Sequence, residues 1–142
     1  MFLLIYNLAL RIYFAGIRLV SPWNPKAKLA IKGREGLFKR IGERLQNNKL
    51  PVVWMHCSSL GEFEQGRYLL EILRKEEPAT CIVITFFSPS GYEAAKNYKT
   101  ADHIFYLPFP GKTNAKRFIN LVNPKLVLWI KYDYWYYYLD EL

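Results

Sequence analysis

Glu62 closes the stretch Val52-Val53-Trp54-Met55-His56-Cys57-Ser58-Ser59-Leu60-Gly61-Glu62, where an apolar run gives way to serine, glycine and a carboxylate. The largely apolar run after Pro51, which opens on two β-branched valines, predicts a strand buried on both faces, followed by a tight polar turn and a helix start. Parallel α/β domains hold ligands at the carboxyl ends of their strands, so Ser58, Ser59, Gly61 and Glu62 would face such a cleft. A carboxylate kept ionised by a helix N-terminus can take a proton from a sugar hydroxyl. Ser59-Leu60-Gly61-Glu62 also fits the S-x-x-E capping box, in which serine bonds the third helical N–H and glutamate reaches back to the cap. At this level both readings of Glu62 stay open.

A second serine-bearing turn, Phe87-Ser88-Pro89-Ser90-Gly91, follows the β-branched run Thr80–Phe86. Ser90-Gly91-Tyr92-Glu93 repeats the capping-box spacing. Other reactive residue types point elsewhere. Cys57 and Cys81 lie in apolar runs and read as buried free thiols, with no spacing for a disulfide framework or a zinc site. His56 and Cys57 are strand neighbours and point to opposite faces, which argues against a nucleophilic pair. His103 reads as a strand-end histidine. Gly111-Lys112-Thr113 resembles the end of a P-loop, but Tyr106 stands where that motif needs a glycine, so the P-loop reading is rejected.

The elements that must position these residues alternate regularly from Pro51 onward. Strand 52–57 precedes a helix from Glu62 to about Lys75, with Phe63, Gly66, Leu69, Leu70 and Leu73 on one side. Strand 80–86 precedes a short helix. A strand at about 103–107 precedes a helix from about Thr113 to Val122, with Ala115, Phe118, Ile119 and Val122 inward, and Leu126–Ile130 makes a fourth buried strand. This order predicts an α/β fold, a Rossmann-like parallel sheet with flanking helices joined by right-handed crossovers. The stretch after Ile130 begins another helix that would have to cover the sheet, and the chain reads as the first part of a longer protein.

The N-terminal third differs. The net charge of +8 over 142 residues sits entirely in residues 1–50, where ten Lys/Arg face two Glu; residues 51–142 balance ten against ten. Residues 1–23 predict an amphipathic membrane-anchoring helix. Its polar interruptions, Asn7, Arg11 and Arg18, fall within about 40° of one another at helical spacing. Its uncharged run is too short for a spanning helix, so it is expected to lie in the membrane interface with Tyr6, Tyr13 and Trp23 as anchors. A signal peptide fits poorly, because no positive charge precedes the apolar run. A helix packed on the protein's own core is the competing structural reading. Pro22-Trp23-Asn24-Pro25 breaks the helix, and 24–50 then form a basic linker and a short helix near Gly36–Asn47, with Leu37, Phe38, Ile41 and Leu45 at helical spacing. Arg11, Arg18, Lys26 and Lys28 are the candidate membrane contacts. No recognisable nucleic-acid module accompanies the bases, so nucleic acid is not the expected partner.

With these motifs placed, the chain resembles the Kdo (3-deoxy-D-manno-octulosonic acid) transferases of lipopolysaccharide synthesis. The likeness rests on the N-terminal hydrophobic segment, the His-x-x-Ser-x-Gly-Glu turn at His56–Glu62 and the Thr-x-x-Ser-Pro-x-Gly turn at Thr85–Gly91. Tyr106–Phe109 and Lys116–Phe118 extend it. Where the family commonly shows Glu-x-Glu-x-Trp-Pro, this chain has Lys131-Tyr132-Asp133-Tyr134-Trp135-Tyr136. The resemblance implies the N-terminal, acceptor-side half of a GT-B glycosyltransferase, with residues 51–142 as a truncated Rossmann-like domain. It implies inverting transfer of Kdo from CMP-Kdo to a lipid A precursor at the cytoplasmic face of the inner membrane. Glu62 would be the general base, with Ser58, Ser59, Gly61, Ser88, Ser90 and Asp133 contacting the acceptor. It implies neither metal nor cofactor, and CMP-Kdo bound mainly by a second domain, so that this chain alone would be inactive. A non-catalytic, membrane-tethered α/β module for an anionic lipid or protein partner is the alternative from a different class. A soluble enzyme for phosphorylated small molecules is weaker, since glycine-rich fingerprints are absent.

Overall fold

A computed structural model describes residues 2–131 and 133–142. Met1 and Tyr132, which the sequence reading included in the first helix and in the stretch after the fourth strand, lie outside the described residues. The elements run α1 (Phe2–Val20), α2 (Pro25–Lys32), α3 (Leu37–Leu45), β1 (Val52–Cys57), α4 (Leu60–Glu76), β2 (Cys81–Phe86), α5 (Pro89–Ala95), β3 (His103–Tyr106), α6 (Lys112–Val122), β4 (Pro124–Ile130) and α7 (Tyr136–Glu141). The four strands form one parallel sheet in the order β3-β2-β1-β4. The expected Rossmann-like architecture with flanking helices is therefore present, and an apolar helix precedes it.

Alternation along β1 and β2 divides the core in two. Val52, Trp54, Cys81 and Val83 face α3, α6 and α7 through Leu37, Ile41, Phe118 and Tyr138. Met55, Cys57, Ile82, Ile84 and Phe86 face α4 and α5 through Phe63, Leu70 and Ala95. Both cysteines are buried and free. Trp54 is the hub of the first core, packing edge-on against Phe118 and Trp129 at centroid separations of 4.9 and 5.5 Å. Burial of a large side chain on this scale stabilises the fold by about 1.5–3 kcal/mol each.

Several expectations need correction. Residues 24–50 contain two helices rather than a linker and one helix. Asn24 Oδ1 accepts from the Lys26 and Ala27 amides, and Pro25 occupies the first helical turn, so the break that follows α1 also carries the start of α2. The fourth strand is not buried: β4 is an edge strand paired only with β1, and its Leu126 is 48% exposed. Leu69 lies on the outer side of α4, also 48% exposed, whereas Phe63, Gly66 and Leu70 face inward as expected.

Arg34, which the charge pattern grouped with the surface bases, is instead folded into the domain. Its Nε donates to the Leu107 carbonyl at 2.7 Å, Nη1 to Ala30 at 2.9 Å and Nη2 to Phe87 at 2.8 Å. The guanidinium also lies against the rings of Phe87, Tyr106 and Phe109, 4.3–5.1 Å from their centroids. Burial pulls its pKa down to about 10, which leaves it cationic at neutral pH. Gly33 beside it is required by space. A Cβ there would stand 2.2 Å from the Tyr106 ring, which is buried and stacked on Tyr92 at 4.2 Å.

His56 shares the Trp54 face. The Thr85 hydroxyl lies 2.8 Å from Trp54 Nε1, which donates to it, and 2.9 Å from His56 Nδ1. Complete burial drives the imidazole pKa down to about 3, so His56 is neutral in the folded protein.

Two measurements follow on the purified chain in mild detergent. Gly33→Ala should lower unfolding stability by about 1–3 kcal/mol in urea titration, the cost of overpacking against an immobile ring. For His56, the unfolded state takes up a proton near pH 6.5 that the folded state refuses until about pH 3. Stability should therefore fall with acidification, by about 2 kcal/mol at pH 5 relative to His56→Gln measured in parallel. Parallel pH curves for the two proteins would contradict a buried neutral imidazole.

Candidate active site

The site lies at the carboxyl ends of β1 and β2, where the strand ladder continues into both serine turns. Phe87 N donates to the Cys57 carbonyl at 3.4 Å and Ser88 N to the Ser58 carbonyl at 2.8 Å. Leu107 N donates to Phe86 O at 2.8 Å, tying the loop after β3 to the same ledge. Ser58, Ser59, Gly61 and Glu62 are thus joined by backbone hydrogen bonds to the turn that holds Ser88 and Ser90. Gly91 allows the approach. A Cβ on it would lie 2.5 Å from the Phe86 ring and 3.1 Å from the Leu60 amide, so the first turns of α5 and α4 can close together only around a glycine.

Glu62 is the third residue of α4, and its Oε2 accepts from the Ser58 amide at 2.5 Å. The capping-box expectation is corrected in its details. The carboxylate reaches one residue further back than the cap, and the Ser59 hydroxyl makes no capping bond. Glu62 closes the turn with one oxygen, and its other oxygen makes no hydrogen bond among the described residues. The second box is also corrected. Ser88, not Ser90, stands at the N-cap position of α5 and makes no capping bond, the two hydroxyls bond each other at 2.8 Å, and Glu93 pairs with Lys96 instead of reaching back.

Ser58 is buried, and its hydroxyl has no protein partner. Such orphaned groups at a strand end are costly unless a ligand or solvent meets them. Gly61 is exposed, and a Cβ on it would meet nothing within 4 Å, so the fold itself does not require a glycine there. Cys57 turns away to the opposite core. Burial, with Glu62 nearby, pushes its thiol up to about 12, so it offers no thiolate at neutral pH. With His56 neutral on the other face, the sequence argument against a Cys/His pair holds.

Asp133 lies on the segment that leaves β4. Lys131 turns the chain with a left-handed φ of 67°, and the Asp133 carbonyl accepts from Trp129 Nε1 at 2.9 Å. Trp135 then stacks on Phe87 at 4.8 Å. Asp133 itself is exposed, between the end of β4 and the Trp135 that packs against the turn after β2. Sequence reasoning missed Arg34, Phe87 and Trp135 as the residues that fix this ledge. The one available signal for Arg34 was its setting between Gly33 and Gly36.

The N-terminal helix lies beside the site. Tyr13, Ile17 and Val20 of α1 share a pocket of about 310 Å³ with Arg34, Phe87 and Ser88. Asn7 accepts a 2.8 Å bond from the Tyr137 hydroxyl, and Phe14 packs on Phe109 at 4.4 Å. The polar stripe of α1 therefore turns toward the domain. Phe2, Leu4, Ile5, Leu8, Ile12 and Leu19 face outward at 60–75% exposure. Of the four predicted membrane contacts, Arg11 and Arg18 line a groove under the helix, while Lys26 and Lys28 are exposed on α2. A further groove of about 500 Å³ lies at the opposite, amino end of β1, between Asn48, Pro51 and Asn123, and holds no carboxylate, thiol or imidazole.

Residues 34–142 match the family described as 3-deoxy-D-manno-octulosonic-acid transferase (kdotransferase). Similar curated proteins include the 3-deoxy-D-manno-octulosonic acid transferases of Aquifex aeolicus, 32% identical over 94 residues, and of Haemophilus influenzae, 31% identical over 84. These alignments cover 66% and 58% of this chain but 26% and 20% of the relatives. A bifunctional glycosyltransferase/methyltransferase of Fusobacterium nucleatum is 30% identical over 97 residues, 63% of this chain and 14% of its own length. The chain thus spans about a quarter or less of the relatives it matches. The match over residues 34–142 takes in both serine turns, Glu62, Arg34 and the segment bearing Asp133, and by it the chain belongs to the 3-deoxy-D-manno-octulosonic-acid transferase (kdotransferase) family.

Proposed function

We propose that this chain is the acceptor-binding part of a membrane-associated, inverting glycosyltransferase that moves Kdo from CMP-Kdo to a lipid A precursor in lipopolysaccharide synthesis. The observation that carries the reading is the placement of Glu62. A partly buried carboxylate, held by the Ser58 amide and the α4 N-terminus, faces a ledge built from both serine turns. Its free oxygen would accept the proton of the acceptor hydroxyl as the bond to the Kdo anomeric carbon forms and CMP departs. Ser58, Ser59, Ser88 and Ser90 would orient the acceptor through hydroxyls and backbone N–H groups, Gly61 would admit it close to the backbone, and Asp133 would contact it. No metal or cofactor enters this scheme. The donor nucleotide would be held mainly by a second domain, so the chain alone would bind acceptor without transferring to it.

The setting we propose is the cytoplasmic face of the inner membrane, with α1 lying in the interface. The helix is tied along its side to the domain through Tyr6, Asn7 and Phe14, and its outward face is apolar. A helix docked lengthwise on a polar domain suits the interface better than a span across the bilayer. The pocket between α1 and Ser88 would then bring a lipid-anchored sugar from the bilayer surface to Glu62.

In the complete polypeptide that carries this chain, Glu62→Gln should retain acceptor binding while slowing transfer of Kdo to a lipid A precursor by about 10²–10⁴-fold, read by mass detection of product. Transfer at the normal rate would remove Glu62 as the base. Loss of detectable transfer in the unaltered protein would favour a tethered, non-catalytic module. Gly61→Ala separates fold from function. Stability should hold or rise by up to about 1 kcal/mol, since alanine favours the helix and meets open space. The acceptor KM should rise, and an unchanged KM would show that the acceptor does not approach Gly61.

A further inference from the structure

We infer that His56 is a positioning residue for the site, acting through Ser58 by way of one internal water that both side chains bond. This role in acceptor binding rests on the function proposed above, whereas the hydrogen-bonded coupling does not. Parallel pairing sets His56 beside Thr85 of β2 and Trp129 of β4, and paired side chains share a face of the sheet. The ladder runs on past Cys57, with Ser88 N donating to the Ser58 carbonyl, so alternation returns Ser58 to the face of His56. Phe87 stands next to it in the turn after β2, and Trp135 packs on Phe87 at 4.8 Å. Both rings belong to the same core as Trp54. Five buried side-chain polar atoms lack a partner among the described residues, and three of them meet at this end of this face: His56 Nε2, Ser58 Oγ and Trp135 Nε1.

Each such atom left unmet costs stability, so three at one place call for a common partner. The indole N–H can only donate, the hydroxyl can donate and accept, and the imidazole nitrogen does one or the other according to its tautomer. A water satisfies all three in either tautomer, and about three hydrogen bonds is the usual complement of a buried water. The imidazole cannot turn away from it. Nδ1 is held 2.9 Å from Thr85 Oγ1, which also accepts from Trp54 Nε1 at 2.8 Å, and the ring lies 4.7 Å from Trp129. Nor does His56 act as a base, because burial, reinforced by the nearby Arg34 cation, keeps it neutral. Packing does not call for a histidine either, since an aliphatic side chain would fill this core with no ring nitrogen to satisfy. What the imidazole adds is direction. With the water held by His56, the Ser58 hydroxyl is fixed beside Glu62, whose Oε2 already takes the Ser58 amide, and is turned to meet an acceptor hydroxyl.

The coupling is tested by nitrogen NMR of the full chain in mild detergent with isotope-labelled histidine, where His56 and His103 are the two reporters. Ser58→Ala should move the His56 Nε2 resonance and leave those of His103 in place. Ser59→Ala, which removes a hydroxyl that makes no capping bond, should move neither. An unmoved His56 Nε2 resonance in Ser58→Ala, or an equal movement in Ser59→Ala, would overturn the coupling whatever reaction the protein performs. The positioning role is tested in the complete polypeptide by the acceptor KM for Kdo transfer to a lipid A precursor. His56→Asn and His56→Gln lose the ring alike, but the asparagine amide lies near the place of Nδ1 and can keep Thr85, whereas glutamine reaches the place of Nε2 and can keep the water. His56→Asn should raise the acceptor KM by about threefold to tenfold, the loss of one oriented hydrogen bond, and His56→Gln should recover most of it. In a Ser58→Ala background, His56→Asn should add less than about twofold. The reverse order of asparagine and glutamine, or losses that multiply in the Ser58→Ala background, would overturn the positioning role. Absence of transfer by the unaltered polypeptide would remove the acceptor role with the proposed reaction and leave the resonance result standing.

Discussion

The buried guanidinium of Arg34 is the interaction on which the rest of the ledge depends. Removing a full charge from water is expensive, and no carboxylate accompanies it among the described contacts. The fold meets that cost with three backbone carbonyls and three aromatic rings. Those carbonyls belong to α2, to the turn after β2 and to the loop after β3. One side chain therefore fixes the height of both loops at the carboxyl end of the sheet. It also joins them to the helical segment that follows α1. The space made by Gly33 for Tyr106, and by Gly91 for α5, lets these pieces meet without displacing the cation.

From this clasp the distribution of roles follows. On the proposed reading the β1 turn supplies the carboxylate and the β2 turn the hydroxyls, while after β4 Trp135 closes on Phe87. The pocket beneath α1 opens between the clasp and Ser88. On the proposed reading, a lipid-linked acceptor enters from the apolar side of α1 and meets Glu62 without leaving the membrane surface. On the same reading, chemistry and anchoring would be adjacent because Arg34 holds their supports together.

The sheet was legible in the sequence because each strand is a short apolar run closed by a turn signal, and tertiary packing agrees with that local pattern. The serine turns and Glu62 were legible for the same reason. What escaped detection depended on partners far along the chain. Arg34 looks like any other base in a run of eight, and only Leu107, Phe87 and three distant rings distinguish it. The second helix at Pro25 was hidden because a proline signals a break as readily as a helix start, and Pro22 and Pro25 stand three residues apart. The amphipathic stripe of α1 was visible, but not that its polar side docks, since this rests on Tyr137, 130 residues away. The edge position of β4 likewise reflects strand order, which no single strand encodes.

The central claim is that the acceptor sits on the carboxyl-end ledge. It is tested most directly by photo-crosslinking the chain in detergent to a lipid A precursor carrying a diazirine beside the hydroxyl that receives Kdo, with labelled peptides mapped by mass spectrometry. Labelling should concentrate in residues 58–62 and 87–91 and compete with unmodified precursor. Competable labelling at the opposite end of the sheet, in residues 45–52 and 121–125, would contradict it.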